Sequence, residues 1–263
     1  MNQDVSICVL SENEMGWTEP FELDEVQILD TYYLAAQKSD IAFLKKMDTA
    51  RLLAGFRTTA GIDTKGVRPY GGWEDSLLGG HCVGHYLTAI AQAVKATGDE
   101  ELKEKSQVLI EGLEECQRKL GTGFLFGAKV EDKEDVEKQF DILEGKKKGE
   151  TWVPWYNMHK VLAGLIDTYK YTENETALLI AEKLGDWIYE RVSKWDLKTN
   201  QKVLETEYGG MNDCLYELYS YSHNKHHLEA AQKFDEKALF LMAAKGEKNC
   251  LDGKHANTQI PKF

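Results

Sequence analysis

Residues 84–96 read GHYLTAIAQAVKA, residues 97–100 TGDE, and residues 102–120 LKEKSQVLIEGLEECQRKL. The first string is small and apolar, the second is a polar turn, and the third carries apolar residues at helical spacing beside a charged face, which together spell a helical hairpin. The form recurs as MHKVLAGLIDTYKY (158–171), TENE (172–175) and TALLIAEKLGDWIYERV (176–192), and again as MNDCLYELYSYS (211–222), HNKH (223–226) and HLEAAQKFDEKALFLMA (227–243). The turns fall near residues 98, 173 and 223. That spacing of about 75 and then about 50 residues is too uneven for a plain solenoid, so insertions sit between the copies.

The first helix of each pair is rich in Ala, Leu, Gly and Tyr and the second is charged on one face, as an inner and an outer helix would be. The expected fold is therefore all-α, an (α/α) toroid or barrel of helical hairpins. The patterning resolves roughly nine helices where a closed ring of six hairpins needs about twelve, so an incomplete ring is expected. Upstream, Asp24 to Ala54 fits two helices through Val26, Leu29, Tyr33, Ile41, Leu44, Met47, Leu52 and Leu53. The glycines and Pro69 of GIDTKGVRPYGGWEDSLLGG (61–80) then dictate a long structured loop.

Hydrophobic residues make up 42% and charged residues 29% of the 263 residues, which suits a chain that folds throughout, and residues 1–263 are expected to form a single helical domain. A net charge of −12 with no basic stripe excludes nucleic acid as a natural partner. The opening MNQDVSICVLSENEMGW (1–17) lacks the basic and apolar regions of a signal peptide, and no later run is long enough for a bilayer. A cytoplasmic protein without membrane contact is expected. The five cysteines, Cys8, Cys82, Cys116, Cys214 and Cys250, have no C-x-x-C spacing, so reduced and mostly buried thiols are expected.

Histidines gather where a toroid would bind a ligand. His81 and His85 stand four apart at the start of one inner helix, His159 opens the next, and His255 lies in KHANTQIPKF (254–263). H-C-V-G-H lacks the glutamate of H-E-x-x-H and a third ligand nearby, so it is no metal motif by itself. His223, His226 and His227, in a polar turn, read as surface residues. Trp187 and Trp195 read as core, whereas Trp73, Trp152 and Trp155 stand before inner helices, where a ring can stack on the apolar face of a sugar. Glu74, Asp75, Glu205, Glu207 and Asp213 are the carboxylates near these loops, but spacing in sequence does not single out an acid/base pair.

The strings PYGGWED (69–75), GGHCVGHYLTA (79–89), TGFLFGA (122–128), TWVPWYNMHKVLAGLIDTY (151–169), ETEYGGMNDCLYELY (205–219) and DGKHANTQIPK (252–262), in this order, resemble the β-L-arabinofuranosidase-type glycoside hydrolases, families 127 and 146. The resemblance runs from about Gly16 to Phe263. It implies an (α/α) barrel catalytic domain followed by β-sandwich domains, acting on L-arabinofuranosides of plant glycans with retention. It also implies a zinc-bound cysteine nucleophile, a glutamate acid/base, and zinc ligands that all follow the HANTQIP segment. The expected substrate-binding residues are Trp73, His81, His85, Trp155, His159, His255, Asn257 and Gln259. Neither a catalytic residue nor a metal ligand is expected within this chain. The expected partners are an arabinose-containing oligosaccharide and a complementing C-terminal polypeptide. The alternatives are a non-catalytic helical-repeat module for glycan or protein, and, by fold analogy, another enzyme built on a helical toroid.

Overall fold

The computed structural model describes residues 20–130, 132–247 and 250–263. Cys8 and the start of the resemblance at Gly16 lie outside them. The described residues form twelve α-helices, two short 3-10 turns and no strand.

Four hairpins follow one another. They are α1 (Thr31–Lys46) with α2 (Thr49–Thr59), α3 (His81–Thr97) with α4 (Glu100–Leu120), α6 (Pro154–Thr172) with α7 (Glu175–Val192), and α9 (Met211–Ser222) with α10 (Lys225–Lys233). Between them lie α5 (Lys138–Leu143) and α8 (Leu197–Leu204), and after them α11 (Lys237–Ala244) and α12 (Ala256–Gln259). Helices α1, α3, α6 and α9 pack side by side as an inner layer, and α2, α4, α7 and α10 as an outer one. The result is an arc of an (α/α) toroid. More helices are present than the patterning resolves because α5, α8 and α12 are eight residues or fewer, too short to show a period.

The three hairpins read from the sequence turn by one device. Gly98, Glu173 and His223 take left-handed conformations at φ 69°, 55° and 52°, and their N–H groups donate to Val94, Tyr169 and Tyr219 carbonyls at 2.7, 2.7 and 2.9 Å. The next residue caps the outgoing helix: Asp99 accepts from Leu102 N, Asn174 from Ala177 N and Asn224 from His226 N, at 3.1, 3.1 and 3.0 Å. The hairpin ends are thus fixed within two residues.

Glycine sets how closely the inner layer packs. A Cβ on Gly84 would run into the Lys160 carbonyl, and one on Gly164 would stand 2.5 Å from the Gly84 carbonyl. Backbone lies directly on backbone where α3 crosses α6. Outside this contact an aromatic cluster joins the layers: Phe124, Phe126, Phe140, Trp155, Trp187, Trp195 and Phe234 pack together, mostly edge-on or tilted, with ring centroids 4.8 to 6.1 Å apart. Arg191 clamps the 121–153 insertion onto it by bonding Glu137, Asp141 and Glu144 at 2.9, 2.5 and 2.5 Å.

The ends of the arc differ from its middle. Helix α1 buries no residue, and Phe21, Val26, Leu29, Tyr32, Tyr33 and Phe43 are exposed. At the other end Leu241, Leu251, Ile260 and Phe263 are exposed and Met242 is half-buried. No helix among the described residues is long and apolar enough to cross a membrane. Two expectations need correction. His227 is fully buried, with Nδ1 2.8 Å from Ser222 Oγ, because it sits on the inward face of α10. The 61–80 loop contains a 3-10 turn, Gly72–Asp75.

Candidate functional site

The starts of α3, α6 and α9 and the loops leading into them meet at one end of the arc. Helix α3 begins after Gly80, which has no side chain to cap it and φ of 94°. Glu74, from the 3-10 turn, does the capping instead. Its Oε2 accepts from Gly80 N at 2.9 Å, and its Oε1 accepts from Cys82 N at 3.2 Å and His81 Nδ1 at 2.9 Å. Leu78 O also stands 2.8 Å from His81 Nδ1, so that nitrogen carries the proton. Burial opposes charge on both partners. The His81 imidazole, the Gly80 amide and the Cys82 thiol nevertheless hold the Glu74 carboxyl below its usual range. For His81, burial is outweighed by the Cys82 thiol and the Glu74 carboxylate, which push the imidazole up to about 10. His81 is a cation at neutral pH.

His159 has the opposite character. Its Nδ1 accepts the Gly210 N–H at 3.3 Å, so the proton sits on Nε2. Burial, then the Lys160 and His85 charges, push it down to about 3. The Gly-Gly of YGGM is what lets the chain lie on this ring. A Cβ on Gly209 would strike His159 Nδ1, and Gly209 also has φ of 61°.

Tyr156 links the two histidines. Its ring lies 6.2 Å from that of His81 and 6.3 Å from that of His159, while the His81 ring lies 6.0 Å from His85 and 6.4 Å from Trp73. Lys160 Nζ stands 5.1 Å over the Tyr156 ring. Asn257 donates to Glu207 Oε1 at 3.4 Å, and its hydrogen bond to Tyr156 partly offsets the burial that raises that phenol. Further along the inner helices, Thr88 donates to Asp167 at 2.6 Å and Lys170 to Glu217 at 2.9 Å. Burial raises the Asp167 carboxyl and lowers the Lys160 ammonium.

Of the eight expected binding residues, Trp73, His81, His85 and His159 come together around Tyr156, and Asn257 joins them from the C-terminal segment. Trp155 does not. It is 0% exposed and packs on Phe140, Trp195 and Phe234 between the layers, because the second residue of α6 faces outward when Tyr156 and His159 face in. Gln259 is buried as an acceptor for Lys262 Nζ at 3.3 Å. His255 stays exposed at the N-cap of α12. Tyr156, Lys160 and Asp167 were missed by the sequence reading. The available signal was their polar stripe on α6, matched on α3 by His81, His85 and Thr88 at i, i+4 and i+7.

A cavity of about 250 Å³ opens beside Tyr70, Trp73, Glu74, His81 and Cys82. A roomier one of about 890 Å³ lies beside α8, α10 and the C-terminal segment, among Leu197, Glu229, Lys233, Glu236, Lys254 and Gln259, and is lined by none of the converging rings. The first matters more, because the titratable and aromatic groups meet there. Ligand atoms of Glu74, His81 and Cys82 lie within 4.8 Å of one another. The carboxylate already accepts three N–H bonds, which leaves two donors for a metal where zinc takes four ligands. Cys116 and Cys214 are buried in the core, and burial pushes the Cys116 thiol up to about 12 and that of Cys214 well above its usual value. Cys116 and Cys214 therefore do not fit the cysteine-rich zinc centre that the resemblance implies.

The model of the family described as "Beta-L-arabinofuranosidase, GH127 catalytic domain" matches residues 25–263. The fold is similar to the crystal structure of a GH127 β-L-arabinofuranosidase from Geobacillus stearothermophilus T6, with a TM-score of 0.55 and 16% identity, over 87% of this chain and 36% of that one. This chain thus spans little more than a third of the length of that enzyme. No curated protein matches it. Since the family match takes in all four hairpins and the helical layers agree with those of a solved member, this chain belongs to the β-L-arabinofuranosidase family 127 of glycoside hydrolases.

Proposed function

We propose that the inner end of the arc binds the L-arabinofuranosyl end of an arabinose-containing oligosaccharide. The juxtaposition of Trp73, His81, His85, Tyr156 and His159 carries this reading. A furanose offers an apolar face and several hydroxyls, and the site offers matching groups. Trp73, 66% exposed, is free to stack. His81 as a cation donates, and His159 holds a fixed Nε2–H. Asn257 and Glu207 add a donor and an acceptor. Calorimetric titration with β-L-arabinofuranosyl oligosaccharides should show saturable binding that Trp73→Ala abolishes. Absence of binding, or equal binding by the variant, would refute the assignment.

The second half of the proposal concerns chemistry. In this reading the described residues bind and orient the sugar, while the nucleophile and its zinc come from sequence beyond these 263 residues, whether on the same polypeptide or on a complementing one. The chain alone should then give no turnover of an aryl β-L-arabinofuranoside, with or without added zinc. Hydrolysis above background that is lost on chelation would overturn this half and leave the binding half standing. A protein-binding module is the second reading, favoured by the exposed Phe21 and Leu29 before α1 and Tyr32 and Phe43 on it.

A further inference from the structure

The cap at the start of α3 contains more than a cap requires. Glu74 satisfies the Gly80 and Cys82 amides by itself, yet it also fixes the His81 ring through Nδ1, with Leu78 O holding the same nitrogen. That leaves only Nε2 free to turn toward a neighbour, and the neighbour is Cys82 Sγ at 3.9 Å. Carboxylate, imidazole and thiol thus converge within 4.8 Å of one another, with the imidazole, fixed by the carboxylate, as the cation beside the sulfur. We propose that Cys82 is a reactive thiol, poised by His81 and Glu74 to be modified by small neutral carbon electrophiles such as activated alkenes and haloacetamides.

Three further observations agree. Cys82 lies in the first turn of α3, where the helix end favours negative charge on sulfur. It lines the 250 Å³ cavity, so a small reagent can reach it, with the Trp73 and Tyr70 rings as walls. Cys116 and Cys214 have no such access, being buried in the core, which leaves half-buried Cys250 as an internal reference among the described residues. The step balances without a redox partner. The thiol proton passes to solvent and the His81 cation pairs the sulfur charge; with a haloacetamide the S–C bond forms as the carbon–halogen bond breaks and halide leaves, and with an activated alkene it forms as the C=C π bond breaks and the adjacent carbon takes a proton back from solvent. An adduct would fill the cavity beside Trp73. The proposal does not depend on the sugar assignment.

The test is competitive alkylation of the full native chain with limiting iodoacetamide at neutral pH, read at each cysteine by peptide mass mapping. Cys82 should label at least tenfold faster than Cys250. His81→Asn keeps a donor where Nδ1 meets Glu74 and removes Nε2, so it should bring the Cys82 rate down toward that of Cys250. Cys116 and Cys214 report folding, since they must stay unlabelled in both proteins. The inference fails if native Cys82 labels no faster than Cys250. It fails equally if His81→Asn leaves the Cys82 rate unchanged while Cys116 and Cys214 stay protected. Should that variant open the core, the ranking in the native chain alone decides.

Discussion

The middle of the arc and its two ends are all helical and all carry large apolar residues, yet they end up in different physical states. At α3 and α6 each inner helix has neighbours on both sides, and Gly84 and Gly164 let the backbones touch. At α1 no residue is buried, and around Leu241 to Phe263 four large apolar side chains meet solvent. Patterning makes a helix, but stability comes from the neighbour that its apolar face finds. The same pattern should therefore be rigid in one place and tolerant in the other.

The sharpest break of this comparison is at the helix crossing. Gly84→Leu would drive a side chain into the Lys160 carbonyl, and Gly164→Ala a Cβ to 2.5 Å from the Gly84 carbonyl. Each should lose more than about 3 kcal/mol in urea unfolding, the leucine variant failing to fold. Phe43→Ser on α1, where the ring is 62% exposed, should stay within about 0.5 kcal/mol. If the two sites prove equally sensitive, α1 is packed against something and the contrast disappears.

The tryptophans offer the next test. Trp155→Ala empties the aromatic cluster and should lose about 3–5 kcal/mol. Trp73→Ala should leave stability unchanged within about 0.5 kcal/mol and act on ligand binding alone. Thermal unfolding of both variants, paired with calorimetry, separates core from site.

The two histidines predict opposite pH dependences. Burial depresses His159 in the fold to about 3 from its usual 6.5, so between those values the unfolded chain binds the extra proton. Its contribution is intact above about pH 6.5 and is lost as pH falls toward 3, by up to about 1.4 kcal/mol per pH unit. His81, raised to about 10, contributes fully below 6.5 and loses that contribution as pH rises through 10. His159→Gln should flatten the acid limb of a stability profile and leave the alkaline limb unchanged. A steep acid limb in the variant would mean that other groups set it.

Much of this was legible in the chain. The hairpins, their turns and the layer assignment follow from apolar spacing and from Gly98-Asp99, Glu173-Asn174 and His223-Asn224, because local capping chemistry decides them. Half of the site was legible as well, through His81, His85 and His159 at inner-helix starts. What was hidden depends on rotation about a helix axis. Pro154 starts α6 earlier than the loop reading allows, which turns Trp155 into the core and brings Tyr156, one residue on, into the site. His227 was hidden for the same reason, since a polar turn gives no sign that its last residue faces inward.

The smallest expected effect sharpens the comparison most, because it removes packing from it. Glu173 and His223 hold left-handed conformations at φ 55° and 52°, where Gly98 holds the same position without a Cβ penalty. Left-handed backbone costs a non-glycine residue about 1–2 kcal/mol, while glycine loosens the unfolded chain by about 0.4–1 kcal/mol. Glu173→Gly should therefore gain up to about 1 kcal/mol, and Gly98→Ala should lose a similar amount. His223→Gly has the same arithmetic but lies one hairpin nearer the exposed end, with its N–H bond to Tyr219 at 2.9 Å against 2.7 Å for Glu173 to Tyr169. If the α9–α10 hairpin unfolds together with the middle of the arc, calorimetric melting should show the same gain for both glycine variants. If that hairpin opens first, only Glu173→Gly will move the main transition, and the boundary between rigid middle and tolerant end will lie between α7 and α9.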